Sequence, residues 1–456
     1  MPRLFVCVDF GSTFTKLVAV DAEGHLVATG SARTTIETDV MDGMDAAVAD
    51  AGIEIDEQDE VLACSSAGGG LRIAVVGYER AITAEAGYRV GLSAGGRVCH
   101  VASGQLGDAE IAELRAASPD VLLLVGGTDG GNADVLRHNA RVIARAVLDV
   151  PVVLAGNVDA RDAVVRVLRR HSVPVTVADN VLPKIGELDP RSAREAIREV
   201  FINHVIGGKH LSDRVDLGTW VQAATPDAVL SGVELLADGT GEYRGVGDVV
   251  VVDVGGATTD VYSVTSPERD DDPAEREAVA TLWRSRTVEG DLGVRWNAPG
   301  IVEAATVEHL LEDGELLQSA AVRRHDDPGY LPDTPVERGI DRRLAQLAAT
   351  VALRRHARPH TAGSVRYPGK DLSRVTLVVG SGGVLRHSPA SDARAIVERA
   401  VADPAGGWRT PERVRALVDS RYVLAAVGLI GRSRPDVALR LLHGSLTGAP
   451  FPRRSA

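Results

Sequence analysis

The chain is poor in aromatic residues and cysteine, and it has no excess of positive charge. Aromatic residues make up 4% of its 456 residues, and the cysteines are Cys7, Cys64 and Cys99. Three cysteines at these spacings exclude a disulfide framework and match no metal-binding motif. The formal net charge of −13 argues against direct binding of nucleic acid.

Long apolar runs are also missing. No stretch is long enough to cross a bilayer, and the first residues show no charged region followed by an apolar signal segment. We therefore expect no membrane partner and a cytoplasmic location. Hydrophobic residues still make up 45% of the chain, with many Ala, Val and Leu, which favours α/β domains with buried, Val-rich strands.

Residues 250–264 predict a hairpin with an unusual turn. An apolar strand reaches Asp253, the turn contains two glycines and two threonines, and a second apolar strand follows Asp260. Such a turn exposes backbone N–H groups and hydroxyls beside a carboxylate. It can cradle phosphate oxygens while the Asp holds a hydrated Mg²⁺. Alone the signal is modest, because Gly-Gly turns join many ordinary hairpins.

Residues 4–21 repeat the same pattern. An apolar strand ends at Asp9, a Gly and hydroxyl residues follow, and Lys16 opens the next apolar strand. Two matched hairpins far apart predict a duplicated architecture with one nucleotide held between two halves. The alternative is two unrelated hairpins in which Asp9 and Asp253 only cap turns. We expect Thr259 and Asp260 to serve the hairpin and not catalysis.

Strand–loop–helix units fill residues 96–215 and predict a parallel sheet covered by helices. Gly/Asn/Asp loops at 126–132 and 156–159 follow two of its strands. Ligands often bind at this end of parallel strands. Equally, such loops need glycine only for positive φ angles, so both interpretations stay open. A strand at 71–76 is assigned to the preceding, β-rich region, and residues 268–275 predict a solvated acidic loop.

In order along the chain, these pieces resemble the actin/Hsp70/sugar-kinase ATPase superfamily. The resemblance rests on a first phosphate loop (9–16), a first interdomain helix (225–239), a second phosphate loop (253–260), an adenosine loop (380–383) and a second interdomain helix (422–431). In one departure, Thr225 stands before the proline where Hsp70-like members often have an acid. The residue that orients the attacking water therefore cannot be assigned.

More closely, the chain resembles the methylaspartate (glutamate) mutase accessory proteins of the GlmL/MutL type, over nearly its whole length. The matching segments are 9–16, 126–132, 155–158, 179–183, 253–260 and 289–293. This resemblance implies duplicated actin-like (ribonuclease H-like) α/β ATPase domains around a nucleotide cleft, with an inserted parallel α/β domain. We expect a first domain at 1–95, completed by the C-terminal helix 418–456, an inserted domain at 96–215, and a second domain at 216–417.

The resemblance also implies a function. Members are regarded as ATP-using reactivases of adenosylcobalamin-dependent carbon-skeleton mutases, so ATP, Mg²⁺ and a glutamate mutase-like partner are expected. Our own hypothesis, beyond the resemblance, is that the inserted domain grips the mutase. The expected catalytic residues are Asp9, Asp253 and Lys16, and the two aspartates would hold Mg²⁺ through water. The expected nucleotide-binding residues are Gly11, Ser12, Thr13, Gly255, Gly256, Ala257, Thr258, Gly290, Asp291, Gly380, Ser381, Gly382 and Gly383.

Other functions of the same superfamily compete with this one. A small-molecule kinase usually needs a further Asp as base, and no placement for one is evident. An actin-like filament protein is a second alternative. An activator of a radical dehydratase is a third, but the cysteines are poorly spaced for an Fe–S cluster. The oligomeric state and the identity of the mutase are not encoded in any motif.

Overall fold

The structure is a computed structural model that describes most of the chain. The described residues are 3–67, 70–206, 211–212, 214, 217–266, 283–311, 315–362, 365–367, 369–402, 408–448 and 451–454. The predicted acidic loop at 268–275 lies outside them.

Seventeen strands occur in the described residues. They are β1 (Leu4–Phe10), β2 (Phe14–Asp21), β3 (Leu26–Arg33), β4 (Glu60–Ser65), β5 (Arg72–Gly77), β6 (Arg97–Ser103), β7 (Val121–Leu124), β8 (Val152–Leu154), β9 (Val175–Val177), β10 (Val221–Ala224), β11 (Val249–Val254), β12 (Thr259–Val264), β13 (Arg284–Glu289), β14 (His360–Ala362), β15 (Val365–Tyr367), β16 (Leu377–Ser381) and β17 (Arg415–Val418).

Fifteen α-helices occur in the same described residues. They are α1 (Val40–Ala51), α2 (Glu85–Ser93), α3 (Asp108–Ala117), α4 (Asp134–Ala146), α5 (Arg161–Arg170), α6 (Arg191–Val200), α7 (Leu217–Trp220), α8 (Thr225–Asp238), α9 (Ala298–Val307), α10 (Glu315–Asp326), α11 (Pro335–Ala357), α12 (Gly383–Arg386), α13 (Ala390–Val401), α14 (Val423–Ile430) and α15 (Pro435–Leu442).

Two five-stranded sheets have the same topology. The first has the order β3-β2-β1-β4-β10 and the second the order β13-β12-β11-β16-β17. In each, the first three strands along the chain form an antiparallel meander, and two later strands add in parallel beside the first. The duplicated α/β architecture predicted from the paired hairpins is thereby confirmed.

A third five-stranded sheet is entirely parallel, with the order β6-β5-β7-β8-β9. It contains the predicted inserted α/β units. The strand predicted at 71–76 is β5, and it pairs with β6 and β7. Its assignment to the preceding region was therefore wrong. Its apolar run could not reveal this, because any of the sheets would accept a buried strand of that length.

Strand β10 also crosses a predicted boundary. It lies within the range 216–417 given to the second domain, yet it pairs in parallel with β4 of the first sheet. The division into three domains at 95 and 215 stays a prediction. Strand pairing places β5 in the parallel sheet and β10 in the first sheet, so each of these strands lies on the wrong side of a predicted boundary.

Helices α8 and α14 share one apolar core with both duplicated sheets. They are the predicted interdomain helices. A Cβ on Gly232 of α8 would collide with the Leu424 carbonyl, and a Cβ on Gly428 of α14 would collide with the Ala228 carbonyl. Glycine at these positions thus allows the two backbones to touch, which larger side chains would prevent.

Candidate functional site

The two predicted phosphate turns face each other. One joins β1 to β2 and the other joins β11 to β12. A Cβ built on Gly256 would lie 3.7 Å from Thr13 Oγ1 across the gap between the turns. The fold thus brings together two segments that are more than 240 positions apart in the sequence.

Asp9, at the end of β1, is buried and surrounded by donors. Lys16 Nζ lies 3.4 Å from its Oδ2, and Thr225 Oγ1 donates to Oδ1 at 2.5 Å. The Cys64 thiol lies 3.6 Å from the same Oδ1. The exposed fraction of Asp9 is only 4%, so these donors take the place of water.

Asp253, the corresponding residue of β11, has a poorer environment. Among the described residues no cation lies within ion-pairing distance of its carboxylate; its contact is a long hydrogen bond of 3.4 Å from the Tyr422 hydroxyl. Its pKa is raised to about 6, mainly by burial and also by Asp260, Asp9 and Asp419, while Lys16 partly offsets this rise. The second hairpin therefore holds a carboxylate whose negative charge is poorly compensated.

Tyr422 contacts both Asp253 and Lys16, whereas the sequence places it only at the start of the second interdomain helix. Lys16 Nζ sits 3.6 Å from the centroid of its ring. Burial and the two nearby aspartates raise the pKa of its phenol well above the ordinary value. The hydroxyl therefore stays protonated and can donate to Asp253. No local pattern marks this residue, because its position depends on how the C-terminal segment returns to the site.

Hydrogen bonds from residues 294–297 fix the backbone of the second turn. Three consecutive carbonyls, of residues 255–257, accept hydrogen bonds from the segment 294–297. The carbonyl and the N–H of one peptide plane point in opposite directions. The N–H groups of Gly256, Ala257 and Thr258 are therefore directed away from that segment, as an anion cradle requires.

The first turn is fixed by Thr34. Its hydroxyl donates to the Gly11 carbonyl at 2.8 Å, and its backbone N–H donates to the Thr13 carbonyl at 3.0 Å. Ser12 is exposed at the tip of the turn. These contacts fix the backbone of Gly11 and Thr13; a phosphate-binding role for Gly11, Ser12 and Thr13 stays a prediction.

The segment of the predicted nucleotide-binding residues Gly290 and Asp291 packs against the second turn. A Cβ on Gly293 would collide with the Ala257 backbone, and Asn297 Nδ2 donates to the Gly290 carbonyl at 2.7 Å. Asp291 forms a two-point ion pair with Arg355, with distances of 2.7 and 2.8 Å. A nucleotide role for Gly290 and Asp291 stays a prediction, and these contacts give both residues a structural role.

The predicted adenosine loop at 380–383 begins within β16, because Gly380 and Ser381 are the last two residues of that strand. Ser381 is buried beside Asp253 in register, and Gly380 packs against Leu385 and Val397, where any Cβ would clash. Gly382 has φ +108°, and a Cβ there would meet the Val254 carbonyl. Gly383 opens onto free space at the start of α12. Nucleotide contacts of these four residues stay a prediction.

The acid at the end of the second turn has the structural role that we expected. Asp260 Oδ1 is 2.7 Å from a guanidinium nitrogen of the buried Arg286. Thr259 donates to the Leu292 carbonyl at 2.6 Å. Both side chains are thus occupied in holding β12 to its neighbours.

A buried ionic cluster joins the parallel-sheet module to the interdomain helices. Asp227 of α8, 1% exposed, lies 2.6 Å from Arg198, 3.4 Å from Arg194 and 3.3 Å from Arg432. The first two arginines belong to α6, and Arg194 also pairs with Glu234 at 2.6 Å. Asp227 lies two residues after Thr225, so α8 connects this cluster directly to Asp9.

The loops at the carboxyl edge of the parallel sheet bind one another. Asn180 Nδ2 donates to the Gly127 carbonyl and to Asp129, at 3.0 and 2.8 Å. Asn157 Nδ2 donates to the Gly131 carbonyl at 3.0 Å, and Gly127 and Gly130 have φ angles near +70°. These observations favour a structural role for the loops; a ligand or partner role stays a prediction.

Within the described part of the chain, no group of three His, Cys, Asp or Glu side chains is arranged to hold a metal ion. In the same residues, no helix has the length and apolar character needed to cross a membrane.

The chain matches known proteins over nearly its whole length. A family model described as MutL protein matches residues 5–446. Protein MutL of Clostridium tetanomorphum is 35% identical over 454 residues, which cover 96% of this chain and 98% of the relative. The match spans both hairpins, both interdomain helices and the parallel sheet.

Solved structures show weaker likeness. Nucleotide-free acetone carboxylase is 15% identical with a TM-score of 0.40, and the match covers 94% of this chain and 70% of that one. A glycerol dehydratase reactivase is 12% identical with a TM-score of 0.34, covering 94% and 100%. We draw no functional conclusion from scores this low.

Proposed function

The chain belongs to the MutL family of glutamate mutase accessory proteins, and from this we propose that it is an ATP-dependent reactivating chaperone of an adenosylcobalamin-dependent carbon-skeleton mutase. In this proposal it binds ATP and Mg²⁺ between the two Asp hairpins and couples ATP binding and hydrolysis to domain closure. The main observation in support of the ATP site is that the two hairpins face each other. Lys16 lies beside the Asp9 carboxylate, and the negative charge of the Asp253 carboxylate is poorly compensated.

The side chains at the site fit a divalent cation. Asp253 is a carboxylate with a pKa raised to about 6 by burial, and a cation near it would offset that cost. Asp9 stands on the facing hairpin, so two carboxylates would balance two positive charges. Mg²⁺ commonly keeps several waters and needs only one or two carboxylates beside a phosphate. When bound, it would supply positive charge to the phosphate oxygens.

The turns and Lys16 supply the remaining contacts. The N–H groups of residues 256–258 and the hydroxyl of Thr13 would donate to phosphate oxygens. Lys16 would neutralise phosphate charge, and about a quarter of its side chain (24%) is exposed. Such a site works by positioning and electrostatics, with little covalent chemistry for the protein to perform.

A short path connects this site to the parallel-sheet module. Thr225 donates to Asp9, and Asp227, one half-turn further along α8, pairs with Arg194 and Arg198 of α6. A shift of α8 on closure of the two hairpins would therefore move the parallel-sheet module. In our proposal this module grips the mutase, and closure helps to release a damaged cobalamin.

The experiment is Mg²⁺-dependent ATP hydrolysis by the purified protein, repeated with an inactivated adenosylcobalamin-dependent mutase from the same cell. Asp253→Asn is the test variant, and Asp248→Asn is the matched control, because Asp248 binds Ser266 just before the start of the same strand. We expect hydrolysis and rescue by the wild type and the control, and loss of both in Asp253→Asn.

Each other result has a definite meaning. Hydrolysis without rescue would reject the mutase as client and keep the ATPase. Phosphorylation of a sugar or polyol from a panel would favour the small-molecule kinase. Failure of the wild type to bind ATP would reject the paired-hairpin site.

A further inference from the structure

We propose that Tyr422 is a positioning residue that holds Lys16 of the first hairpin and Asp253 of the second in a fixed relation to each other. It thereby sets the strength with which the site binds Mg²⁺ together with nucleotide. The inference rests on the proposed function and deepens it, because no motif of the sequence assigns Tyr422 to the site.

The geometry gives the side chain two separate contacts. Its ring face lies 3.6 Å from Lys16 Nζ, and its hydroxyl lies 3.4 Å from Asp253 Oδ2. The ring face attracts the ammonium group, and the hydroxyl donates to the carboxylate. Only 8% of the residue is exposed, so both contacts form in a region with little water.

The backbone of Tyr422 is held in an unfavourable conformation. Its φ and ψ angles are +57° and +42°, the left-handed region that residues with a Cβ rarely adopt. Asp419 fixes the segment, because its carboxylate accepts the N–H groups of Val423 and Leu424 at 2.9 and 3.1 Å. A strained residue held firmly at the point where two hairpins meet indicates a functional constraint.

The two contacts predict two separable effects. The hydroxyl orients Asp253, which is expected to serve the metal ion. The ring orients Lys16, which is expected to serve the phosphates with or without metal. Removing the hydroxyl alone should therefore weaken binding only when Mg²⁺ is present, whereas removing the ring should weaken it under both conditions.

The test is calorimetric titration of the full chain with a slowly hydrolysed ATP analogue, once in EDTA and once over a series of Mg²⁺ concentrations. The variants are Tyr422→Phe, which keeps the ring, and Tyr422→Leu, which removes it. Tyr243→Phe is the matched control. The Tyr243 ring also faces a cation, with Arg453 Cζ 5.8 Å from its centroid, but this cation belongs to the C-terminal segment and not to either hairpin.

For Tyr422→Phe we expect about a fivefold higher Mg²⁺ concentration at half-saturation, with affinity in EDTA unchanged within about twofold. For Tyr422→Leu we expect the same metal defect and a further loss of about fivefold in EDTA. The control should match the wild type in both buffers. Thermal unfolding of each variant without ligand confirms that it is folded.

Two results would overturn the role of Tyr422 and leave the proposed function standing. One is wild-type Mg²⁺ dependence in Tyr422→Phe. The other is equal weakening of that variant in EDTA and in Mg²⁺, which would show a general structural role. If the wild type binds no Mg²⁺-dependent nucleotide, the proposed function fails and this inference fails with it.

Discussion

The two Asp hairpins have the same strand topology and turn chemistry, but their carboxylates differ in environment. Asp9 is paired with Lys16 and receives the Thr225 hydroxyl at 2.5 Å. Asp253 receives a long hydrogen bond from Tyr422, and burial raises its pKa to about 6. The strand neighbours differ as well, with Cys64 beside Asp9 and Ser381 beside Asp253.

This difference shows that duplication of a fold does not duplicate the electrostatics of its sites. The first carboxylate is stabilised by the protein itself, whereas the second is stabilised poorly by its own surroundings. A cation entering the site should therefore gain more from Asp253, while Asp9 should act mainly as a fixed anchor. The four predictions below test this asymmetry, from the largest expected effect to the smallest.

Removal of either carboxylate tests whether both hairpins serve one reaction. We expect Asp9→Asn and Asp253→Asn each to lower kcat/KM for Mg²⁺-dependent ATP hydrolysis by at least about 100-fold, because each contributes charge to one ion and one phosphate chain. Steady-state phosphate release measures this effect. Activity that survives in one variant would show that a single hairpin suffices.

The same two variants should change stability in opposite directions when no ligand is added. Asp9→Asn leaves Lys16 without its carboxylate and should destabilise the fold by about 2 kcal/mol. Asp253→Asn removes a poorly compensated, half-buried charge and should stabilise the fold by about 1 kcal/mol. Urea unfolding at neutral pH measures both changes. Destabilisation of similar size in the two variants would contradict the asymmetry.

The raised pKa of Asp253 predicts a pH dependence. Below about pH 6 a proton competes with the cation at this carboxylate, so the affinity for Mg²⁺ with nucleotide should fall by up to about tenfold per pH unit. Without ligand, the quantity that depends on pH is the stability of the fold, and it changes in the opposite direction. Between about pH 4 and 6 the folded chain binds more protons at Asp253 than the unfolded chain, so this group's contribution to stability falls as the pH rises.

Titration of nucleotide affinity against pH at fixed Mg²⁺ measures the first effect. Lys16, Asp9, Asp260, Asp419 and Tyr422 all face or act on this carboxylate, so the midpoint belongs to the group as a whole. An affinity that is flat between pH 5 and 7.5 would show that Asp253 is already ionised throughout.

The smallest effect should come from making the strand neighbours alike. Cys64→Ser places at the first hairpin the residue type found beside Asp253. A hydroxyl is a stronger donor than the thiol that lies 3.6 Å from Asp9. We therefore expect stability to change by less than about 1 kcal/mol, with hydrolysis within about threefold of wild type. A large loss would reveal a role for the thiol that its geometry does not indicate.

Local sequence patterns predicted much of the scaffold. The hairpins around Asp9 and Asp253 and the helix beginning at Thr225 appear as predicted, because apolar alternation, turn glycines and Pro226 in the first helical turn are local signals. The parallel sheet was also predicted as a class. Its strand β5 was misplaced, since strand pairing is set by contacts that are remote in sequence.

The sequence by itself determined the paired hairpins, the acids at their strand ends and the glycines that let α8 and α14 touch. These follow from short-range rules of turn geometry and residue size. Only the tertiary structure decided that Tyr422 would lie between Lys16 and Asp253 and that Asp227 would pair with three arginines. It also decided that, among the described residues, no cation would lie within ion-pairing distance of Asp253. Burial and charge pairing depend on which distant segments meet, and no local pattern records that meeting.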